Sequence, residues 1–75
     1  MGLIEQVRAS QRLPSPAAAR AIRLAADVSQ VAMASELRVH RVTVARWESG
    51  ARRPRGAFLV RYLELLDALR AESGL

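Results

Sequence analysis

Apolar positions recur along this chain at the spacing of amphipathic helices, and clear stop signals separate them into five groups. Leu13 must end the first group, because a residue before proline is disfavoured in helical conformation. Ser15 and Pro16 then suit the cap and first turn of a new helix, and Gly50 suits a helix end. The predicted helices cover residues 2–12, 16–26, 30–37, 41–49 and from about 56 to 70 or 72.

The phase of each pattern predicts which residues are buried. In the first helix Leu3, Ile4 and Val7 share one face, while Glu5, Arg8 and Arg12 face solvent. The expected inner residues of the next three helices are Ala18, Ile22, Ala25 or Ala26, Val31, Met33 or Ala34, Leu37, Val44 and Trp47. Those of the fifth helix are Leu59, Tyr62, Leu63, Leu66 and Leu69. With no alternating strand pattern, the expected fold is all-α, a five-helix bundle in one domain spanning residues 1–75.

The fifth helix has more apolar residues than one core face needs. Phe58, Leu65 and Ala68 form a second stripe beside the first. The two candidates for covering this stripe are the N-terminal helix and a second copy of the chain. In the second case helix 56–72 forms a homodimer interface.

Charge changes the interpretation of the segment from Arg38 to Arg55. It holds six of the twelve basic residues, all arginine, and a single acid, Glu48, so it carries the whole net charge of +5. A pI near 11.5 with the net charge on one stretch of the chain favours a polyanionic partner, above all nucleic acid. Arginines on a merely solvated face are the alternative.

Composition excludes several other kinds of site. The chain has no cysteine and one histidine, His40, so disulfides, thiolate chemistry and a zinc site are not expected. No nucleophile–base pair or carboxylate cluster suggests an enzyme, and nothing indicates a cofactor or small-molecule effector. Without an 18-residue apolar run or a secretory pattern, we expect a cytoplasmic protein with no membrane partner.

The basic segment contains a long spaced pattern, SQVAMASEL followed by VHRVTVARWESG and Pro54. This pattern resembles the Cro/repressor-type (XRE-like) helix-turn-helix family. The resemblance places the motif at residues 29–50 and implies a lambda-repressor-like bundle whose recognition helix, about residues 41–49, enters the major groove of double-stranded DNA. It points to a small transcriptional regulator, with a phage or prophage Cro-like repressor as the leading subtype.

The family pattern also implies roles for individual residues. The base-reading positions are Arg41, Val42 and Arg46. The positions that touch the DNA backbone are Gln30, His40, Thr43, Ser49, Arg52, Arg53 and Arg55. Arg23 and Glu48 match a structural ion pair, which explains why the one acid of the basic segment does not repel DNA. Trp47 is expected in the core.

Two residues depart from the family pattern. Arg38 stands at the turn position where glycine is usual, and a left-handed conformation there costs of order 1 kcal/mol, so another turn geometry is the alternative. His40 replaces the usual Ser or Thr cap, which predicts a weakly capped recognition helix.

Three hypotheses for the function differ in their partners. The first is a regulator that occupies an operator, by default as a dimer on a palindromic site, with a monomeric binder as the alternative. The second keeps DNA binding but makes the protein an antitoxin or an excision directionality factor. The third is a protein-interaction module whose fifth helix docks on a partner and whose arginines serve solubility.

Overall fold

Five α-helices make up the computed structural model, which describes residues 2–74. They are α1 Leu3–Arg12, α2 Pro16–Ala25, α3 Gln30–Leu37, α4 Arg41–Ser49 and α5 Gly56–Ser73. No strand occurs between residues 2 and 74. The predicted all-α, five-helix fold is therefore confirmed, with helix boundaries within one or two residues of those expected.

Local signals set the helix starts as predicted. The Ser15 and Ser29 hydroxyls accept hydrogen bonds from the N–H groups of Ala18 (3.1 Å) and Ala32 (3.0 Å). Each such cap is worth about 1 kcal/mol, because it satisfies an N–H that the helix leaves free. Leu13 is extended, with ψ 125°, as its place before Pro14 requires.

The main core lies where α2, α3, α4 and α5 meet. Its buried members are Ala19, Ile22, Met33, Ala34, Leu37, Val44, Trp47, Tyr62 and Leu66. The Trp47 and Tyr62 rings lie 4.8 Å apart at 43°, a tilted contact worth about 1 kcal/mol. Trp47 is therefore a core residue, and the predicted inner face of α5 is in place.

α1 packs on α5 through a second, smaller cluster. Ala9 lies against Leu59 and Leu63, with Leu13 and Val60 beside them. Arg12 pairs with Asp67 across the two helices at 2.8 Å. Both side chains are exposed, so this pair contributes little, and α1 is held mainly by the contact of Ala9.

Two sequence predictions about buried residues are wrong, and a third is met only in part. Ala18 is exposed and Ala19 is buried instead, since Arg23 points inward and rotates α2. Val31 is 61% exposed, because Met33, Ala34 and Leu37 already fill the inward arc of the short helix α3. Ala25 and Ala26 were predicted as alternatives for one buried position at the end of α2; Ala25 is exposed and Ala26 is half-buried.

The apolar face predicted for α1 exists but points to solvent. Leu3, Ile4 and Val7 are 74%, 60% and 44% exposed, while Ala9, on the opposite side of the helix, is buried. On α5 the second apolar stripe is divided: Leu65 packs partly against the core, and Phe58 and Ala68 stay exposed. The unpartnered apolar surface therefore lies on α1 rather than along α5.

Candidate nucleic-acid interface

The turn between α3 and α4 uses the left-handed conformation that glycine usually supplies. Arg38 has φ 57° and ψ 44°, and it ends α3. The Val39 N–H donates to the Ala34 carbonyl at 3.0 Å, and the Arg38 N–H to the Ser35 carbonyl at 3.2 Å. These two bonds form the Schellman arrangement that satisfies the last carbonyls of a helix. The alternative turn geometry is not used, and Arg38 bears the strain.

α4 begins with a side-chain cap supplied by a histidine. His40 Nδ1 accepts a hydrogen bond from the Val42 N–H at 3.1 Å. The expectation of a weak cap is therefore corrected, since an imidazole nitrogen occupies the place of a serine or threonine hydroxyl. Because the cap uses Nδ1 as an acceptor, Nε2 carries the ring proton in the neutral side chain.

α4 separates its buried and exposed positions sharply. Val44, Trp47 and Glu48 are buried and fix the helix to the domain. Arg41, Arg46 and Ser49 are exposed, while Val42 and Thr43 are half-buried beside them. The helix ends at Gly50, which has φ 81°. The predicted base-reading residues thus share one polar face of a helix that is anchored on its other side.

A buried ion pair anchors that helix to α2. Arg23 donates from Nε to Glu48 Oε2 at 2.7 Å and from a terminal nitrogen to Oε1 at 2.9 Å. Another terminal nitrogen of Arg23 donates to the Val28 carbonyl at 2.8 Å. The two side chains are 7% and 2% exposed, so the charge of Glu48 is enclosed and neutralised rather than presented at the surface.

Electrostatics at this pair favour the charged forms of both groups. Burial raises the pKa of Glu48, but hydrogen bonds from Arg23 and Gln30 and the Arg23 charge outweigh it, and the pKa lies below its ordinary value. The hydrogen bond to Glu48 raises the pKa of Arg23. Both groups are therefore ionised throughout the neutral range.

Gln30 connects the buried pair to the exposed face of α4. Its side-chain nitrogen donates to Glu48 Oε1 at 3.2 Å, and its side-chain oxygen accepts from Arg41 at 3.2 Å. A continuous chain of hydrogen bonds thus runs from Arg23 to Arg41. The two hydrogen bonds of Gln30 were not predicted from the sequence, because their partners lie 11 and 18 positions away on another helix, where periodicity carries no information.

The segment after α4 forms one wall of a basic groove. The groove encloses about 580 Å³ and is lined by Thr43, Arg46, Trp47, Gly50, Ala51, Arg52, Arg53, Pro54, Arg55 and Phe58. Ser49 and Gly50 start the turn, and the Arg52 N–H donates to the Arg46 carbonyl at 3.2 Å. Pro54 is buried and holds the far end of the loop to the domain.

The groove brings four of the predicted contact arginines together. Arg46, Arg52, Arg53 and Arg55 are all exposed there, and no carboxylate is among the lining residues. Gln30 and Arg41 lie outside the groove, joined to each other near the start of α4. Phe58 was not predicted as a groove residue. It is 43% exposed, and the centroid of its ring lies 5.9 Å from the guanidinium carbon of Arg61.

Other kinds of site find no support in the described part of the chain. Among residues 2–74 no group of three or more histidine, aspartate or glutamate side chains lies close enough to hold a metal ion. None of the described helices combines the length and apolarity needed to span a bilayer.

Comparison with known protein families identifies the same two helices, α3 and α4, as a helix-turn-helix. A family model described as helix-turn-helix matches residues 20–72, which is more than half of the chain and includes α3, the turn and α4. Searches of curated proteins and of solved structures give no match.

Proposed function

The chain belongs to the helix-turn-helix family of the Cro/repressor (XRE) type, a family of DNA-binding regulators, and we propose that it recognises a specific operator and controls transcription there. The single observation that carries the proposal is the polar face of α4 beside the four-arginine groove, with Glu48 enclosed. B-DNA's major groove, about 12 Å wide, admits one helix with its side chains. We propose that residues 1–75 form a single DNA-binding domain.

Arg41, Val42 and Arg46 are the proposed base-reading residues. All three lie on the accessible side of α4, at its first two positions and one turn further on. An arginine pairs with O6 and N7 of guanine through two hydrogen bonds, and a valine packs on a thymine methyl group. The operator is therefore expected to contain guanines at the positions that face Arg41 and Arg46.

The remaining contacts position the helix on the sugar-phosphate backbone. The proposed residues are Gln30, His40, Thr43, Ser49, Arg52, Arg53 and Arg55. Arg52, Arg53 and Arg55 belong to the loop wall of the groove, so they can follow one strand while α4 occupies the major groove. The capping bond of His40 leaves its Nε2–H free to donate to a phosphate oxygen.

Repression by occupancy is the proposed mechanism. The protein binds its operator and blocks polymerase, in the cytoplasm where its target lies. One α4 reads few base pairs, so we propose that two copies bind half-sites about one helical turn, or roughly 34 Å, apart. A phage or prophage Cro-like role is the proposed subtype.

Titration of a labelled duplex at 50 to 200 mM salt tests this proposal. Neutralising three phosphates with Arg52, Arg53 and Arg55 predicts a log–log slope of about −2.7 per bound copy, or about a 40-fold loss of affinity over that range. A protein-interaction module with arginines for solubility predicts no measurable affinity at 50 mM salt. That result would reject the proposal.

Single substitutions separate base-reading residues from backbone-binding residues. Arg41→Ala or Arg46→Ala should cost about 1–3 kcal/mol of binding free energy on an operator selected from a random duplex library, and should relax the sequence preference of the protein. Arg53→Ala should weaken all duplexes equally and flatten the salt slope by about 0.9. Arg70→Ala is the matched control. Arg70 is an exposed arginine near the far end of α5, so its loss removes the same charge and should leave DNA binding unchanged. Equal behaviour of Arg46→Ala and Arg53→Ala would contradict the assigned roles.

A further inference from the structure

Phe58 is an exposed aromatic residue in the wall of the basic groove. It is the third residue of α5 and is 43% exposed, although Leu59, the next residue, is buried. The same groove is lined by Arg46 of α4 and by the arginines of the loop after α4, with no carboxylate among its residues. In the proposed complex, a DNA strand that lies beside α4 and along this loop therefore passes over the Phe58 ring.

Arg61 follows Phe58 by one turn of α5, and its guanidinium lies at the Phe58 ring. The guanidinium carbon is 5.9 Å from the ring centroid, which is within the range of a cation–π interaction. Residues three positions apart share one face of a helix, so the two side chains meet without distorting α5. Arg61 is exposed and thus adds a positive charge beside the groove wall that Phe58 forms.

Arg61 keeps its charge unpaired although two acidic side chains are near. Together with Glu36 and Glu64 it borders a surface hollow between α3 and α5. No ion pair within residues 2–74 includes Arg61 or either glutamate. The aromatic ring of Phe58, rather than a carboxylate, is therefore the partner of the guanidinium, which leaves the charge available to an anion.

The two side chains match the two components of a nucleic-acid backbone. Phosphates alternate with sugars along a strand, and protein side chains contact both. A guanidinium binds a phosphate oxygen through charge-assisted hydrogen bonds. The base edges face α4 in the major groove, so the apolar part of the strand that remains for an aromatic ring in the arginine groove is the deoxyribose.

We propose that Phe58 and Arg61 extend the DNA-binding surface onto α5. The Phe58 ring packs on a deoxyribose of the strand that the loop arginines bind, and Arg61 binds a neighbouring phosphate of that strand. Phe58 has a second role, because its ring keeps Arg61 from turning towards Glu36 and Glu64. The inference rests on the proposed function, since it adds contacts to the same duplex. Neither residue contacts a base, so both should raise affinity without changing the sequence preference.

The salt dependence of duplex binding tests the role of Arg61. One phosphate contact contributes a log–log slope of about −0.9, so Arg61→Ala should flatten the slope by about 0.9. The affinity of the wild type relative to Arg61→Ala should then fall about 3.5-fold between 50 and 200 mM salt. Arg70→Ala removes an equal charge near the far end of α5 and should leave the slope unchanged. An Arg61→Ala slope equal to that of the wild type would overturn the proposal.

Substitutions at Phe58 separate the contact with the sugar from the interaction with Arg61. Phe58→Leu keeps an apolar side chain but removes the ring, so it should weaken binding by about two- to fivefold, the contribution of a cation–π contact at an exposed site. Phe58→Ala also removes the apolar contact and should weaken binding further, equally on all duplexes. Leu24→Ala is the matched control, because Leu24 is a 52% exposed leucine on α2, outside the groove, and should bind as the wild type does.

Combining the substitutions tests whether the ring positions Arg61. Arg61→Ala should reduce affinity less in the Phe58→Leu background than in the wild type. An equal reduction in both backgrounds would contradict the positioning role of the ring. A loss on Phe58→Ala that occurs only when one position of the duplex is thymine would indicate contact with the thymine methyl group and overturn the assignment to the sugar. Circular dichroism should show unchanged helix content, since both residues are exposed.

The same titrations distinguish failure of this inference from failure of the proposed function. Absence of duplex binding by the wild type would reject the proposed function and this inference with it. Salt-dependent binding by the wild type, with unchanged binding by both Phe58→Ala and Arg61→Ala, would reject this inference alone and leave the contacts of α4 and the loop in place.

Discussion

Breaking the Arg23–Glu48 pair should remove a large part of the stability of this protein. A 75-residue domain is expected to have a free energy of unfolding of roughly 4–11 kcal/mol. Glu48 accepts two short hydrogen bonds from Arg23, at 2.7 and 2.9 Å, in a place where its side chain is 2% exposed. Removing one partner leaves the other charge buried and unpaired, which costs about 3–5 kcal/mol.

The stability that the Arg23–Glu48 pair contributes depends on pH, because the pKa of Glu48 is shifted in the folded protein. The pKa of Glu48 is lower in the folded protein than in the unfolded chain, where a glutamate titrates near 4.3. The ionised carboxylate therefore stabilises the fold above about pH 4.3, and this stability is lost as the pH falls through the lower, folded pKa. Glu48→Gln should lack that acid-dependent loss.

Urea unfolding followed by Trp47 fluorescence measures these effects, because Trp47 is buried and is the one tryptophan of the chain. Arg23→Ala and Glu48→Ala should each lower the free energy of unfolding by about 3–5 kcal/mol, with a coupling of about 3 kcal/mol in the double-mutant cycle. Replacing both partners with Met and Leu should restore stability. A coupling below about 0.5 kcal/mol would refute the argument that the pair acts as a buried unit.

Substitutions at three further positions test local features, each by urea unfolding. Tyr62→Phe should raise stability by about 1 kcal/mol, because the buried hydroxyl of Tyr62 has no hydrogen-bond partner among residues 2–74. Burial, with the charge of Glu48, raises the pKa of Tyr62 to about 12, so the wild type should lose stability as the pH rises from about 10 to 12, and the variant should not. Arg38→Gly should stabilise by about 1 kcal/mol by relieving the left-handed strain, whereas Arg38→Ala should not. His40→Ala should cost about 1 kcal/mol through the lost cap, and His40→Ser should recover it; equal stability of all three would show that the imidazole cap contributes nothing.

Local sequence signals predicted most of the fold because each acts over a few residues. Ser15, Ser29 and Gly50 fixed helix ends through bonds and dihedral angles that depend on their own side chains. The long spaced motif predicted the order of α3 and α4, while the turn between them at Arg38 was determined only by the structure. The arginine groove followed from these, since Arg46 and the loop after Gly50 are neighbours in sequence as well as in space.

Helix phase was predicted less well where side chains are small. Alanines at positions 17–19 differ little in hydrophobicity, so periodicity could not decide that Ala19 faces inward. A buried arginine decided it: Arg23 turns towards Glu48 and fixes the rotation of α2. On α1 the pattern identified the apolar face correctly but not its direction, because hydrophobicity alone does not state which surface covers it.

The hydrogen bonds of Gln30 connect the buried Arg23–Glu48 pair to Arg41 on the exposed face of α4. An arginine that must be ordered on DNA loses side-chain entropy when it binds, and that loss reduces affinity. In the free protein Gln30 already holds Arg41, and Glu48 in turn holds Gln30. Part of the side-chain entropy of Arg41 is therefore already lost when the domain folds, before DNA binds. Among residues 2–74 no side chain holds Arg46 in this way, so in the proposed complex Arg46 is ordered by the DNA itself. The two proposed base-reading arginines therefore begin from different degrees of preorganisation.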